Sequence, residues 1–220
     1  MSSLKEKILA KQKDYHIHHP FHIAMNSGKL SKEHIQIWVS NRFYYQEMIP
    51  RKDAAILMNC TDSKIRQEWI KRIQDHDELG GIDAWISLGK SVGLTPEELY
   101  SHHFVVPGVK FAVDSYLTFC KENCYQDAMA SSLTELFAPE IHQKRLDNWP
   151  VYYPWIESDG YNYFRKRLHE ASRDVQFTFD WVLETYSDRE EHVLKLVDFK
   201  LNILWCMLDA ISIACKFVPF

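Results

Sequence analysis

Arg42 falls one helical turn from Trp38 on one side and from Gln46 on the other, on a face otherwise filled by Ile35, Val39, Tyr45 and Ile49. Glu135, His142 and Arg145 recur at i, i+7 and i+10, a spacing that stacks them along one side of a helix. Tyr163 and Arg167 pair at i, i+4, Lys200 sits between Phe199 and Leu201 in an apolar run, and His76 closes another periodic stretch. An unpaired buried charge is costly, so ionisable groups on core-facing stripes are seldom placed there without use. Taken singly, such an Arg or His is more often a snorkelling or hydrogen-bonded structural residue. Four cations on four different helices, Arg42, Arg145, Arg167 and Lys200, weigh against that reading. Converging on one cavity, they would hold a small molecule with several carboxylates, using the fork geometry of the guanidinium.

The run Tyr15-His16-Ile17-His18-His19-Pro20, with His22 nearby, invites a metal reading. It lacks a carboxylate motif at ligand spacing, and clustered histidines are more often simply a polar segment. Glu135 and His142 form a second metal candidate, but a di-iron helix bundle would want Glu-x-x-His pairs on paired helices. In the late helices Asp174-Val175-Gln176-Phe177 puts Phe where that His would stand, so a metal-free site is expected. There is no GxSxG, no phosphate-cradling glycine loop and no dinucleotide fingerprint. The five cysteines are odd in number and lack CxxC spacing, which fits a reducing compartment; Cys60 and Cys206 are expected to be core thiols.

The elements that must carry these groups are helical, since only seven glycines and eight prolines punctuate a sequence whose apolar residues recur at helical spacing. The fold class is therefore all-α. Ser31 precedes a helix from Lys32 to about Ile49, broken by Pro50, with another beginning near Lys52. Asp62 caps a helix to about His76, Gly80-Gly81 turns the chain, and a helix covers about Ile82 to Val92. Thr95-Pro96-Glu97-Glu98 is a capping box with Pro at N1, and Pro107-Gly108 opens a helix to about Glu122. A further helix is expected from Gln126 to about Leu146, kinked at Pro139, followed by an irregular stretch from Asn148 to Trp155. Ser158 or Asp159 caps a helix to about Tyr186, and Ser187-Asp188 caps the last one, to about Cys215.

At 220 residues with no linker-like stretch, one domain is expected, and 46% hydrophobic and 14% aromatic content suffices for a sizeable core without disulfides or a structural metal. The net charge of about -4 and the scattered basic residues argue against nucleic acid or an anionic membrane as partner. Met1 to Leu9 lacks the apolar core and cleavage site of a signal peptide, and no apolar run approaches the length of a membrane span, so a cytoplasmic protein is expected.

Several longer segments carry a resemblance: YHIHHPFHIAM (15 to 25), WVSNRFYYQ (38 to 46), IPRKDAAI (49 to 56), RIQDHD (72 to 77), VPGVKFAVDSY (106 to 116), SSLTELFAPEIHQKRLDNWP (131 to 150), GYNYFRKRL (160 to 168) and DFKLNILWCMLDA (198 to 210). Through them the chain closely resembles, over nearly its whole length, the coenzyme PQQ synthesis protein C family. The resemblance implies a compact seven-helix bundle of the haem-oxygenase-like type, usually a homodimer, without bound haem. It implies that the family's substrate is a bicyclic, tricarboxylated amino acid derived from Glu and Tyr (AHQQ). Its last ring would be closed and its electrons removed in O2-dependent steps that release hydrogen peroxide, giving pyrroloquinoline quinone (PQQ).

Carried over by motif, the catalytic residues would be His16, His76, His142, Tyr163, Arg167 and Lys200. The substrate-binding residues would be Tyr15, Arg42, Tyr45, Gln46, Tyr116, Thr134, Glu135 and Arg145. They include every out-of-place polar residue named above. No cofactor is implied, because the substrate is itself a quinone-to-quinol couple able to pass electrons to O2. His76 and His142 would be the general bases, the cations would clamp carboxylates and quinone oxygens, and Tyr163 with Arg167 would donate to developing peroxide. Three rivals remain: thiaminase-like hydrolysis, which needs a cysteine nucleophile in a matching motif; a di-iron oxygenase of the same fold; and a non-enzymatic PQQ carrier. The chain departs from the family in a shorter turn from Asp77 to Gly80, in Asn202 where an acid is common, and in ending at Phe220. These departures bear on rate and lid behaviour.

Overall fold

Ser31 starts the longest helix with a capping box: its Oγ accepts from the backbone N–H of His34, and the His34 imidazole accepts from the Ser31 N–H, both at 3.3 Å. The computed structural model describes residues 3–77 and 81–218, without the side chains of residues 169–174. The Asp77 to Gly80 turn, the end at Phe220 and the Asp174 side chain therefore lie outside the described residues. In chain order the α-helices are α1 (Leu4–Ala10), α2 (Pro20–Asn26), α3 (Lys32–Asn59), α4 (Ser63–Asp77), α5 (Gly81–Ser91) and α6 (Pro96–Tyr100). They continue with α7 (Pro107–Glu122), α8 (Tyr125–Ser131), α9 (Ala138–Tyr152), α10 (Asn162–Thr185) and α11 (Glu190–Ala214). The total exceeds the seven that the resemblance implies; the surplus consists of short helices of five to seven residues. Among the described residues there is no strand, and no helix is long and apolar enough to cross a membrane.

Several boundaries fall where sequence placed them. Asp62 Oδ1 accepts from the N–H groups of Lys64 and Ile65 at the start of α4, Thr95 caps α6 reciprocally with Glu98, and α7 runs from Pro107 to Glu122. Others do not. Pro50 does not break its helix: α3 continues to Asn59, because Met48, Lys52, Asp53, Ala55 and Ile56 are all buried and their packing outweighs the one bond, to the Gln46 carbonyl, that proline cannot make. The helix expected over Gln126 to Leu146 is divided. A 3-10 segment, Ser132–Phe137, separates α8 from α9, and Pro139 sits in the first turn of α9, where a missing N–H costs nothing. α9 then runs through Pro150 to Tyr152, across most of the stretch expected to be irregular. Ser158 and Asp159 lie in a 3-10 turn rather than capping α10, and α11 starts after Arg189 without a side-chain cap.

The core is built around Trp38, with Trp85 and Trp149 each at a ring-centroid distance of 5.7 Å. A second apolar cluster, between α1, the 3-10 segment and α10 and α11, joins it through Tyr45, Phe119 and Trp181. α3 packs on α4 and α7, and α7 on α11, so the middle of α3 is surrounded. Phe177 packs against the core, and so does Cys60, whereas Cys206 is exposed on the outer side of α11, contrary to expectation.

Candidate active site

Along α3, Arg42, Tyr45, Gln46 and Ile49 form a stripe at i, i+3, i+4 and i+7, and along α9 Ala138, Ile141, His142 and Arg145 form the same pattern. The two stripes face one another across a cavity of about 540 Å³, its mouth included. Tyr15 and His16 close it from the segment before α2, Thr134 and Glu135 from the 3-10 segment, Trp85 from α5, Tyr163 from α10 and Leu204 from α11. A neighbouring compartment of about 400 Å³ shares Ile49 and Tyr163 and adds Asp53, Arg72, His76 and Arg167. A smaller one of about 210 Å³ shares Tyr45 and Ile49 and adds Lys52 and Tyr116.

Three cations are held at this site without a carboxylate partner among the described residues. Arg145 is buried, its guanidinium lying over the Trp38 ring at 4.7 Å and the Phe164 ring at 5.2 Å, and burial followed by the charge of Arg42 holds its pKa down to about 9. Arg42 lies 4.1 Å over the Tyr45 ring. Lys200 donates to the Tyr45 hydroxyl at 2.8 Å and sits 3.3 Å from the Tyr116 ring centroid; burial, then Lys52 and Arg42, push its pKa well below the usual lysine value. Arg72 is different: its Nη2 donates to both oxygens of Glu135 at 2.8 and 2.9 Å, and its Nε lies 3.6 Å from Asp53, which also receives Lys52 at 2.6 Å and the Trp69 indole N–H at 2.8 Å. Burial would raise the Glu135 pKa, but Arg72, Lys52 and Arg167 outweigh it and bring it to about 2.

The polar lining is unfinished. His16 Nδ1, Gln46 Nε2, His142 Nδ1 and Arg145 Nε all line the main cavity and lack a hydrogen-bond partner. Buried polar groups are nearly always paired, so these four atoms are available to hydrogen-bond whatever occupies the space, water or a polar ligand. Gln46 Oε1 accepts from the Tyr163 hydroxyl at 3.0 Å, which leaves its amide N–H groups for the cavity. His142 stacks on Phe164 and is held neutral by burial first, then by Arg145, Arg167 and Arg42. His16 is likewise depressed by burial and His22. Among the described residues, no three His, Cys, Asp or Glu side chains gather as a set that could hold a metal ion.

Comparison with known proteins places this architecture. The model of the TENA/THI-4/PQQC family matches residues 6–210. The chain belongs to this family. A relative from Pseudomonas aeruginosa (strain LESB58) named pyrroloquinoline-quinone synthase is 57% identical over 210 residues, covering 93% of this chain and 84% of that protein. One of the same name from Pseudomonas putida (strain W619) is 53% identical over 219 residues, covering 97% and 87%. A solved domain of unknown function with a haem-oxygenase-like fold, from Shewanella denitrificans, superposes with a TM-score of 0.81 at 13% identity over 97% of this chain and 92% of its own. At that identity it speaks for the fold alone.

Of the residues that the resemblance to the coenzyme PQQ synthesis protein C family carried over, Tyr15, His16, Arg42, Tyr45, Gln46, Thr134, Glu135, His142, Arg145 and Tyr163 line the main cavity. His76 and Arg167 line the second compartment and Tyr116 the third, while Lys200 reaches the cavity only through Tyr45. Glu135 is engaged by Arg72, so its carboxylate balances charge rather than standing free. Sequence reasoning passed over Arg72, Lys52, Asp53 and Trp85, and took His22 only as a neighbour of the histidine run. Arg72 precedes His76 by one turn on the buried face of α4, and Lys52-Asp53 is a charged pair inside an apolar stretch, so the rule that found Arg42 would have found them too.

One consequence concerns acid. His16, His22 and His142 have folded pKa values pushed well below the usual value, mainly by burial, so the unfolded chain binds protons that the fold refuses. Their contribution is whole above about pH 6.5 and is lost as pH falls below it, at about 1.4 kcal/mol per unit for each histidine. Glu135 acts later, because its contribution fades only between the unfolded carboxylate value and about 2. The melting temperature should therefore fall more steeply between pH 6.5 and 5 than between pH 8 and 7, where of these buried bases only Lys200, its folded pKa also lowered, still binds fewer protons than in the unfolded chain; a thermal-shift series with no such change of slope would contradict the assignment.

Proposed function

We propose that the chain is a pyrroloquinoline-quinone synthase that closes the last ring of the bicyclic, tricarboxylated precursor and oxidises it with O2 to PQQ. The observation that carries this reading is that Arg42 and Arg145 at one cavity, and Lys200 behind it through Tyr45, have no carboxylate partners among the described residues. Such a cavity is stabilised by a ligand that brings several negative charges. The relatives over 50% identical that bear this enzyme's name agree with it.

In this reading Arg42 and Arg145 take carboxylates, and Lys200 acts on a quinone oxygen through the Tyr45 hydroxyl. His142 and His16 present unprotonated ring nitrogens, and Gln46, oriented by Tyr163, donates to the ligand. His76 and Arg167 act from the adjoining compartment. The substrate supplies the redox couple, so the protein binds, deprotonates and excludes water, without metal or flavin. Each O2 that takes up two electrons and two protons leaves as hydrogen peroxide. The homodimer and the cytoplasmic setting belong to the same reading; light scattering during gel filtration tests the first.

The deciding experiment is aerobic incubation of chelator-treated protein with the precursor, following quinone absorbance and peroxide. Formation of both supports the proposal. Protein that stays inert until iron is added would make it a di-iron oxygenase, and protein that binds PQQ but converts no precursor would make it a carrier.

A further inference from the structure

The histidine run does not gather around a metal; its members separate. His16 lines the cavity, His18 is exposed, and His19 caps α2 through Nδ1 while its Nε2 meets Asp209 at 3.1 Å. His22, on α2, is 1% exposed and lies outside the cavity. Its Nδ1 is 2.9 Å from the carbonyl oxygen of His16, which can only accept, so Nδ1 carries the proton. A neutral imidazole has one N–H, hence Nε2 presents a lone pair, and this lone pair is 3.3 Å from Nη2 of Arg145. No other polar contact of the Arg145 guanidinium is made among the described residues, and its Nε has no partner.

The guanidinium carbon thus lies over the rings of Trp38 and Phe164, contacts that by themselves do not fix where its N–H groups point. We infer that His22 is a positioning residue: its Nε2 lone pair, by accepting from Nη2, sets the orientation of the Arg145 guanidinium and so aims the remaining N–H donors at a carboxylate of the ligand. The inference rests on the proposed role of Arg145 in binding a polycarboxylate. Burial first, and then the charge of Arg145 at which a second ring proton would point, keep this histidine unprotonated.

The test uses PQQ as probe, with its Kd measured by calorimetry on the whole protein and a thermal melt of every variant. His22→Gln places an acceptor near the position of Nε2, whereas His22→Asn keeps only the contact near Nδ1. We expect His22→Gln to bind within about twofold of wild type and His22→Asn to bind about tenfold more weakly, the size of one hydrogen bond to a charged group. With Arg145 already replaced, by Arg145→Met, His22→Asn should change Kd by less than about twofold, because the two residues act as one unit. Undiminished loss in that background, equal binding by all variants, or loss of a cooperative melt in His22→Asn would each overturn the inference. A wild-type protein that does not bind PQQ would instead remove the functional reading beneath it.

Discussion

Arg145→Met should weaken PQQ binding by about 100-fold or more and leave the unliganded protein at least as stable as before. The two halves have one cause. Arg145 is 4% exposed, has no carboxylate partner among the described residues, and has its pKa held down to about 9, so its charge is carried at a cost while the cavity is empty. Methionine keeps much of the apolar stem against Trp38 and Phe164 and removes that cost. A ligand carboxylate offsets the cost in the wild type, and losing one partner of such a buried pair is worth about 3 to 5 kcal/mol, or about two to three and a half decades in Kd. Calorimetry and a thermal melt at pH 8 read both. If Kd is unchanged, the carboxylate goes elsewhere; if the melting temperature falls by many degrees, the guanidinium serves the aromatic stack and not a ligand.

The second large effect is on rate. His142→Gln should lower kcat by about 10² to 10⁴ while PQQ affinity stays within a few fold, because glutamine can still hydrogen-bond but cannot accept a proton at neutral pH. His142 lines the cavity, is stacked 5.8 Å from Phe164, and has an orphan Nδ1. Its pKa is well below the usual value, so it is unprotonated at neutral pH, and the proton it takes up is readily passed on. The sign for pH follows: activity that depends on neutral His142 is kept at high pH and falls only as pH drops through the lowered folded value, placing the acid limb of kcat/KM below pH 6.5. An acid limb at the same pH in the variant, or a rate within tenfold of wild type, would move the base to His16 or His76.

Much of this molecule was legible in its residues. Helical periodicity with few Gly and Pro made it all-α. Asp62 and Thr95 marked helix starts because capping is a local contest between one side chain and the first free N–H groups, and Pro107 because its fixed φ and missing N–H suit the first helical position. Arg42, His142 and Arg145 stood out for an equally local reason, since they interrupt stripes whose spacing alone says they face inward. Where packing decides, local signals failed: α3 ignores Pro50 and α9 ignores Pro150, because the neighbours that hold those helices are distant in sequence. So did any rule based on residue type alone, since Cys206 and Cys60 read alike and only one is buried.

The sequence by itself determined which side chains must be hidden and which ionisable groups are hidden with them, because period and composition are properties of the chain. Only the tertiary structure decided how those groups divide. Arg72 neutralises Glu135, Lys52 lies on Asp53, and His22 holds Arg145, while Arg42, Arg145 and Lys200 keep no carboxylate among the described residues. The reason is that a pairing is a distance of about 3 Å between residues up to 123 positions apart, and no pattern along the chain encodes that distance.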